Sequence, residues 1–370
     1  MRPKTEAELT ESIASADRPL WVRGGGTRGI FGDGDVVETG ALDGVSLYEP
    51  GALTIVAQAG TPVRTITALL DAEGQRLAFE PMDHRGLLGT VGEPTIGGVV
   101  AGNVSGPRRI QVGACRDFLL GVRFVNGAGE IVKNGGRVMK NVTGYDLVKL
   151  MAGSFGTLGV LSEVSLKVLP KPERSAVVKV HGLSVSDAQK AMSIALTSPF
   201  DVSGAAHAPV GVDGQAVTMI RIEGFEASVA YRARQLVALF AEFADVTVDT
   251  ETSAVWQSVR DVAPFHDRLG DVWRMSCKPS DSPALVAKTG GSDVVLDWGG
   301  GLIWALTDAG SDLRAKLGSF DGYATLVRAE PDTFATLGRF QPEARGVGAL
   351  TSALRQKFDP RGILNTGLMG

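Results

Sequence analysis

Leu20-Trp21-Val22-Arg23-Gly24-Gly25-Gly26-Thr27-Arg28-Gly29 is the stretch from which the rest of the chain is read. Its first four residues make a short apolar strand, and the glycines that follow change what the backbone can do. Glycine reaches positive φ and lacks the Cβ that holds a phosphate or ring away from the chain, so this run aims bare amides at an anion. Gly24, Gly26 and Gly29 satisfy G-x-G-x-x-G. A Rossmann fingerprint also needs a helix opening on the last glycine and an acidic residue roughly 20 positions on. Ile30-Phe31-Gly32-Asp33-Gly34-Asp35 follows instead, which is turn chemistry without helical periodicity. The nicotinamide reading is therefore rejected. An amide-lined phosphate loop and a plain strand-to-strand turn both remain open.

Two further glycine-rich segments lie downstream. In the first, Gly92-Glu93-Pro94-Thr95-Ile96-Gly97-Gly98 and the following residues to Arg108-Arg109 alternate small with apolar side chains and leave little room for large ones. The second opens at Asn141-Val142-Thr143-Gly144, where Thr143 or Asn141 can cap a short helix carrying Leu147, Leu150 and Met151 and stopping at Gly153. Phe155-Gly156-Thr157-Leu158-Gly159-Val160 then leads into Val164, Leu166 and Val168 alternating with Ser165 and Lys167, a half-buried strand.

Punctuation gives the coarse organisation. Residues 53–58 read as a strand, after which Thr61 caps and Pro62 starts a helix with Val63, Ile66, Leu69 and Leu70 inward, ending at Gly74. Strands over 118–125 and 130–133 flank Asn126-Gly127-Ala128-Gly129, a hairpin signal. Pro170-Lys171-Pro172 breaks the pattern and marks a domain boundary. Beyond it, helices over 186–196 and 227–243 alternate with strands over 217–222, 294–296 and 303–306, suggesting an antiparallel sheet with helices on one face. A last helix puts Leu350, Leu354 and Phe358 in one stripe.

Composition narrows the function classes. A chain of 370 residues suits two domains with sizeable cores, and 48 glycines, about 13% against an average near 7%, fit many loops and close backbone approaches. The net charge of -4 comes without a basic block or aromatic-basic interleaving, so no nucleic-acid partner is expected. No apolar run approaches the roughly 18 residues of a membrane span, and Met1-Arg2-Pro3-Lys4-Thr5-Glu6 has no apolar signal region. The expected compartment is the cytoplasm, with any inner-membrane attachment through partners. Cys115 and Cys277 form no metal-ligand or iron-sulfur run, so no metal is expected and both read as buried or idle thiols.

In combination, Arg23-Gly24-Gly25-Gly26-Thr27, Thr95-Ile96-Gly97-Gly98 with Ser105-Gly106-Pro107-Arg108-Arg109, Lys140-Asn141-Val142-Thr143-Gly144-Tyr145-Asp146-Leu147 and Gly153-Ser154-Phe155-Gly156-Thr157-Leu158-Gly159 resemble the FAD-binding domain of the vanillyl-alcohol oxidase and p-cresol methylhydroxylase superfamily. Within it the chain resembles the family of FAD-binding subunits of bacterial glycolate oxidase. That likeness continues through Trp273-Arg274-Met275-Ser276, Leu296-Asp297-Trp298-Gly299-Gly300-Gly301 and Phe358-Asp359-Pro360-Arg361-Gly362-Ile363-Leu364-Asn365-Thr366-Gly367. It implies an α+β fold: a two-subdomain FAD-binding domain over 1–170, a smaller α+β cap with an antiparallel sheet over 173–335, and a segment over 336–370 that returns to the FAD domain. It also implies a flavin-dependent oxidoreductase subunit acting on glycolate or another small 2-hydroxy acid, beside a larger flavin subunit and an iron-sulfur subunit.

An FAD pyrophosphate is anionic, so the backbone around Arg23, in Gly24, Gly25, Gly26 and Thr27, and in Thr95, Ile96, Gly97 and Gly98, is expected to cradle it. The resemblance places Ala101, Gly102, Ser105 and Gly106 beside the flavin and Val160 at the adenine end. It also favours non-covalent FAD, because Thr27 stands where relatives with attached flavin often carry histidine. Related 2-hydroxy-acid dehydrogenases have a His-x-Gly-Asp-Gly-Asn-x-His run, which this chain lacks, and His84, His181, His207 and His266 are widely spaced. That absence moves the reading toward a supporting role within the complex, while the intact FAD segments argue against pure scaffolding. An FAD-holding structural subunit without its own substrate chemistry and a stand-alone D-2-hydroxy acid dehydrogenase stay open as alternatives. Arg274 is the one candidate for a substrate carboxylate, since guanidinium geometry matches it, with an ordinary sheet-edge arginine as the alternative. Arg108 and Arg109 are left between FAD phosphates, a partner and a solvated turn.

Overall fold

In the computed structural model, which describes residues 1–137, 144–211, 214–243 and 245–369, the strand Leu20–Arg23 pairs in parallel with Asp35–Glu38. The glycine turn lies between them. These strands belong to a first unit made of Met1–Ser105, Gly113–Lys171 and the tail from Pro342. Its main sheet has five antiparallel strands in the order Val45–Glu49, Thr54–Gln58, Val160–Lys167, Leu119–Val125, Ile131–Gly135. A core of Leu9 and Ile13 from the helix Glu6–Ala14, Leu20, Val125, Val160 and the tail residues Ile363 and Leu364 holds the loop-bearing strand in place.

Three local expectations change in this unit. The helix Val63–Ala72 forms with Ile66 and Leu70 buried, but Thr61 does not cap it: its hydroxyl donates to the Gly44 carbonyl at 3.1 Å. The helix Leu147–Met151 is capped by Asp146, whose carboxylate accepts from the Lys149 amide at 3.1 Å, while Asn141 and Thr143 lie outside the described residues. The strand Val160–Lys167 is central and buried on both faces, Ser162 and Ser165 included, so its serines did not signal solvent.

Gly106–Val112 and Pro172–Gln341 form a second unit. Its eight-stranded antiparallel sheet runs Val246–Asp249, Arg174–His181, Val217–Gly224, Val202–Ala208, Asp293–Asp297, Leu302–Thr307, Asp271–Cys277, Gly322–Arg328. Side chains alternate across a strand, so each strand feeds two layers. Ala176, Val178, Ala205, Ile220 and Ile222 pack under the helices Val185–Thr197 and Glu226–Phe240. On the other face, Val177, Ala206, Ala208 and Met219 pack against Trp256 and Val259 of the helix Ser253–Asp261. Helices therefore cover both faces rather than one, the small side chains of Ala206 and Ala208 leaving room for the indole of Trp256.

Candidate functional site

After Arg23 the chain turns through Gly26 at φ +71°, a left-handed conformation that favours glycine. Among the described residues the backbone N–H groups of Gly24, Gly25, Gly26 and Thr27 donate to no protein acceptor. Buried amides are nearly always paired, so four neighbouring open donors at the edge of a cleft are a ready anion cradle. Gly25 is small for another reason: a Cβ there would fall 1.7 Å from the Glu93 carbonyl oxygen. Its hydrogen side lets the first two glycine segments touch.

The helix Ile96–Ala101 lines the same cleft, but not by offering its first amides as expected. The Ile96 amide donates to Thr61 O at 3.0 Å, Gly97 to Ala59 O at 2.7 Å and Gly98 to the Thr95 hydroxyl at 3.3 Å. These donors hold the helix against its neighbours and are taken. What the helix contributes is shape: Gly98 leaves its surface bare, while Gly97 lets it pack closely on Ala59.

The open cleft, of about 980 Å³, is lined by Arg23, Gly24, Gly25, Gly26, Thr27, Thr95, Gly97, Gly98, Ala101 and Val160 of the expected residues. A second cleft shares Arg23, the three glycines and Thr95, so the loop borders an extended space suited to a long ligand. The other expected residues stand elsewhere. Ile96 is fully buried in its helix. Gly102 is packed by Arg28, whose guanidinium would lie 1.6 Å from an added Cβ. Ser105 spends its hydroxyl on the Asn103 carbonyl at 3.1 Å and accepts from the Cys115 amide at 2.9 Å. Gly106 belongs to the second unit, where its carbonyl accepts from the Trp298 indole at 3.0 Å.

Sequence reasoning missed several lining residues, including Arg28, Met82, His84, Phe155 and Asn365. Arg28 brings a cation over the Phe155 ring, 4.8 Å from its centroid. It was visible in the opening stretch but was passed over for its glycines. Asn365 accepts from the Val22 amide at 2.7 Å and donates to the Phe155 carbonyl at 2.7 Å, clamping strand to turn. Open amides, arginines at the rim and apolar walls from Val22, Ile30, Met82 and Val99 together fit a dinucleotide carrying a flat ring system.

The remaining candidates are mostly engaged in structure. Arg108 is buried and ion-paired with Glu223, which removes it from the possible phosphate ligands. His207 is fully buried, its Nδ1 3.0 Å from the Thr218 hydroxyl, and burial pushes its imidazole down to about 4. His181 meets the Thr247 hydroxyl at 2.8 Å and His266 the Asp261 carbonyl at 2.8 Å, so none of these three forms a histidine pair. Both cysteines are free, and burial pushes both thiols up, Cys277 to about 11. Among the described residues no cluster could hold a metal ion, and no helix is long and apolar enough to cross a membrane. Arg274 lies in the second unit on the strand Asp271–Cys277, over the rings of Trp298 and Trp304.

Comparison with known proteins points to the same cofactor. Residues 1–135 match the FAD binding domain family. The chain is 34% identical to glycolate oxidase subunit GlcE of Escherichia coli (strain K12) over 367 residues, covering 98% of this chain and 95% of that one. Over 79 residues, 21% of this chain and 17% of the relative, it is 44% identical to glycolate oxidase subunit GlcD of Bacillus subtilis (strain 168). A solved alkyldihydroxyacetonephosphate synthase shares the fold at a TM-score of 0.70 and 15% identity, over 99% of this chain and 76% of that one. The likeness along nearly its whole length and the FAD binding match make this chain an FAD-dependent oxidoreductase belonging to the family of glycolate oxidase subunit GlcE.

Proposed function

We propose that the chain is the FAD-binding subunit of a heteromeric complex that oxidises glycolate, or a close 2-hydroxy acid, to the 2-oxo acid and passes electrons to an iron-sulfur partner. The observation that carries this reading is the cleft with four open amides at Gly24, Gly25, Gly26 and Thr27, in a chain alike to a glycolate oxidase subunit along its length. Bound FAD supplies a two-electron acceptor. The chain's own residues would hold its phosphates on the open amides, with Arg28 as the nearby cation and Arg23 paired to Glu38, and would wall the ring with apolar side chains.

A well-placed general base contributes about 10² to 10⁴-fold to such a reaction, and no histidine pair is present to supply one. The FAD-loaded chain alone is therefore expected to oxidise glycolate slowly. Added to its partner subunits it restores acceptor-linked oxidation, and FAD-stripped protein restores less. Fast anaerobic bleaching of the isolated flavoprotein by glycolate would overturn the supporting role. Failure of the loaded chain to restore any oxidation would count against membership of such a complex.

A further inference from the structure

The strand register of the second unit gathers a polar group on one face of its sheet. Arg274 pairs across to Trp304 on one side and Thr325 on the other, and Ser276 pairs directly with Tyr323. The intervening Trp273, Met275, Ile303, Ala305, Ala324 and Leu326 enter an apolar core. By alternation Arg274, Ser276, Trp304 and Tyr323 share the opposite face, with Arg274 and Tyr323 as diagonal neighbours. The Arg274 guanidinium sits 5.1 Å from the Trp298 ring centroid and 6.0 Å from that of Trp304, and Arg109 sits 4.4 Å from Trp298. The indole is itself fixed, its Nε1 donating to Gly106 O at 3.0 Å.

Among the described residues Arg274 has no carboxylate partner, and the nearby Asp321 is held by Lys278. A guanidinium seated on aromatic faces is partly stripped of water yet keeps its planar fork of donors, which suits a bidentate carboxylate. Tyr323 is 45% exposed, and its phenol oxygen is engaged by the Arg274 guanidinium and the Ser276 hydroxyl, which leaves the O–H as the group to offer a ligand.

We propose that Arg274 and Tyr323 form a recognition site for a small 2-hydroxy carboxylate, the guanidinium pairing with the carboxylate and the phenol O–H donating a hydrogen bond to the 2-hydroxyl oxygen. Arg109, beside the same indole, adds positive charge. The electrostatics run the right way: burial pushes the Tyr323 phenol up, yet Arg274, Ser276 and Arg109 together hold it below its ordinary range. Such a phenol is a more acidic, and so a stronger, hydrogen-bond donor. The site gives the chain a hydroxyl partner of a kind different from the missing histidine run, and it rests on reading the chain as a subunit that acts on 2-hydroxy acids.

Titration calorimetry of the FAD-loaded chain with glycolate, acetate and ethylene glycol tests it. Glycolate is expected to bind saturably and about tenfold tighter than acetate, the worth of one good hydrogen bond, and ethylene glycol not to bind. Tyr323→Phe should bring glycolate down to the acetate level with acetate affinity unchanged, and Arg274→Met should abolish both. FAD content and circular dichroism confirm that each variant is folded. No saturable glycolate binding, a preference that survives Tyr323→Phe, or full binding by Arg274→Met would each overturn the site. Lost turnover in the reconstituted complex with binding intact counts against the subunit reading, whereas intact turnover without dependence on Tyr323 counts against this site alone.

Discussion

Gly97 and Gly98 are adjacent and look equivalent in sequence, yet their missing Cβ atoms serve different ends. A Cβ on Gly97 would lie 2.7 Å from both the Cβ and the carbonyl oxygen of Ala59, so Gly97→Ala forces helix and strand apart. Overpacking of this kind costs about 1–3 kcal/mol, and it should appear as a lower melting temperature of the FAD-free protein. At Gly98 an added Cβ would meet the Thr95 hydroxyl at 3.2 Å, and the residue lines the cleft. Gly98→Val should therefore leave the chain folded and cut flavin occupancy sharply; unchanged occupancy would move the cofactor away from this helix. His207 gives a second test. Burial lowers its imidazole from 6.5 to about 4. In that window the unfolded chain takes up a proton that the folded chain refuses, so stability falls as pH drops through it. From pH 7 to pH 4.5 wild type should lose about 2–3 kcal/mol more in denaturant titrations than His207→Gln. Equal losses would mean that the imidazole charges in place. The glycines were legible because their need is local. The acceptors that occupy the amides of Ile96 and Gly97 were not, because Thr61 and Ala59 reach them only in the fold.

The last helix shows how a correct element can carry a wrong face. Arg345–Phe358 is helical, but its inward residues are Gly348, Thr351, Arg355 and Phe358 at spacings of three and four, not the expected Leu350, Leu354 and Phe358. Leu350 is 69% exposed, while the Phe358 ring lies 6.1 Å from Phe124 and its carbonyl accepts from the Gly127 amide at 2.9 Å. Hydropathy favoured the leucines, and only the docking of the helix end decides between the two stripes. Leu350→Gln should change stability by less than about 0.5 kcal/mol. Phe358→Ala should cost about 2 kcal/mol through lost burial and ring contact. Thermal unfolding of the two variants separates the faces, and a large loss in Leu350→Gln would restore the leucine stripe.

Across the whole molecule, the passage of Gly106–Val112 into the second unit left no mark in periodicity or composition. The tail was equally hidden in its detail: Asn365 reaches the Val22 amide across 343 positions of sequence. The same layout makes the cofactor's effect predictable. Both clefts and the four open amides belong to the first unit, so FAD should order that unit first. Ligand at 100 times its dissociation constant stabilises the binding-competent fold by about 2.7 kcal/mol. Hydrogen exchange should accordingly slow most in residues 22–29, 93–104 and 153–161 and in the tail around Asn365, and least in 172–341. With Thr27 beside the glycines and no covalent link expected there, the purified protein should be yellow and acid should release its flavin into the supernatant. Flavin that stays with the precipitate would point to covalent attachment, and His84, the one histidine lining the cleft, would be the first residue to replace.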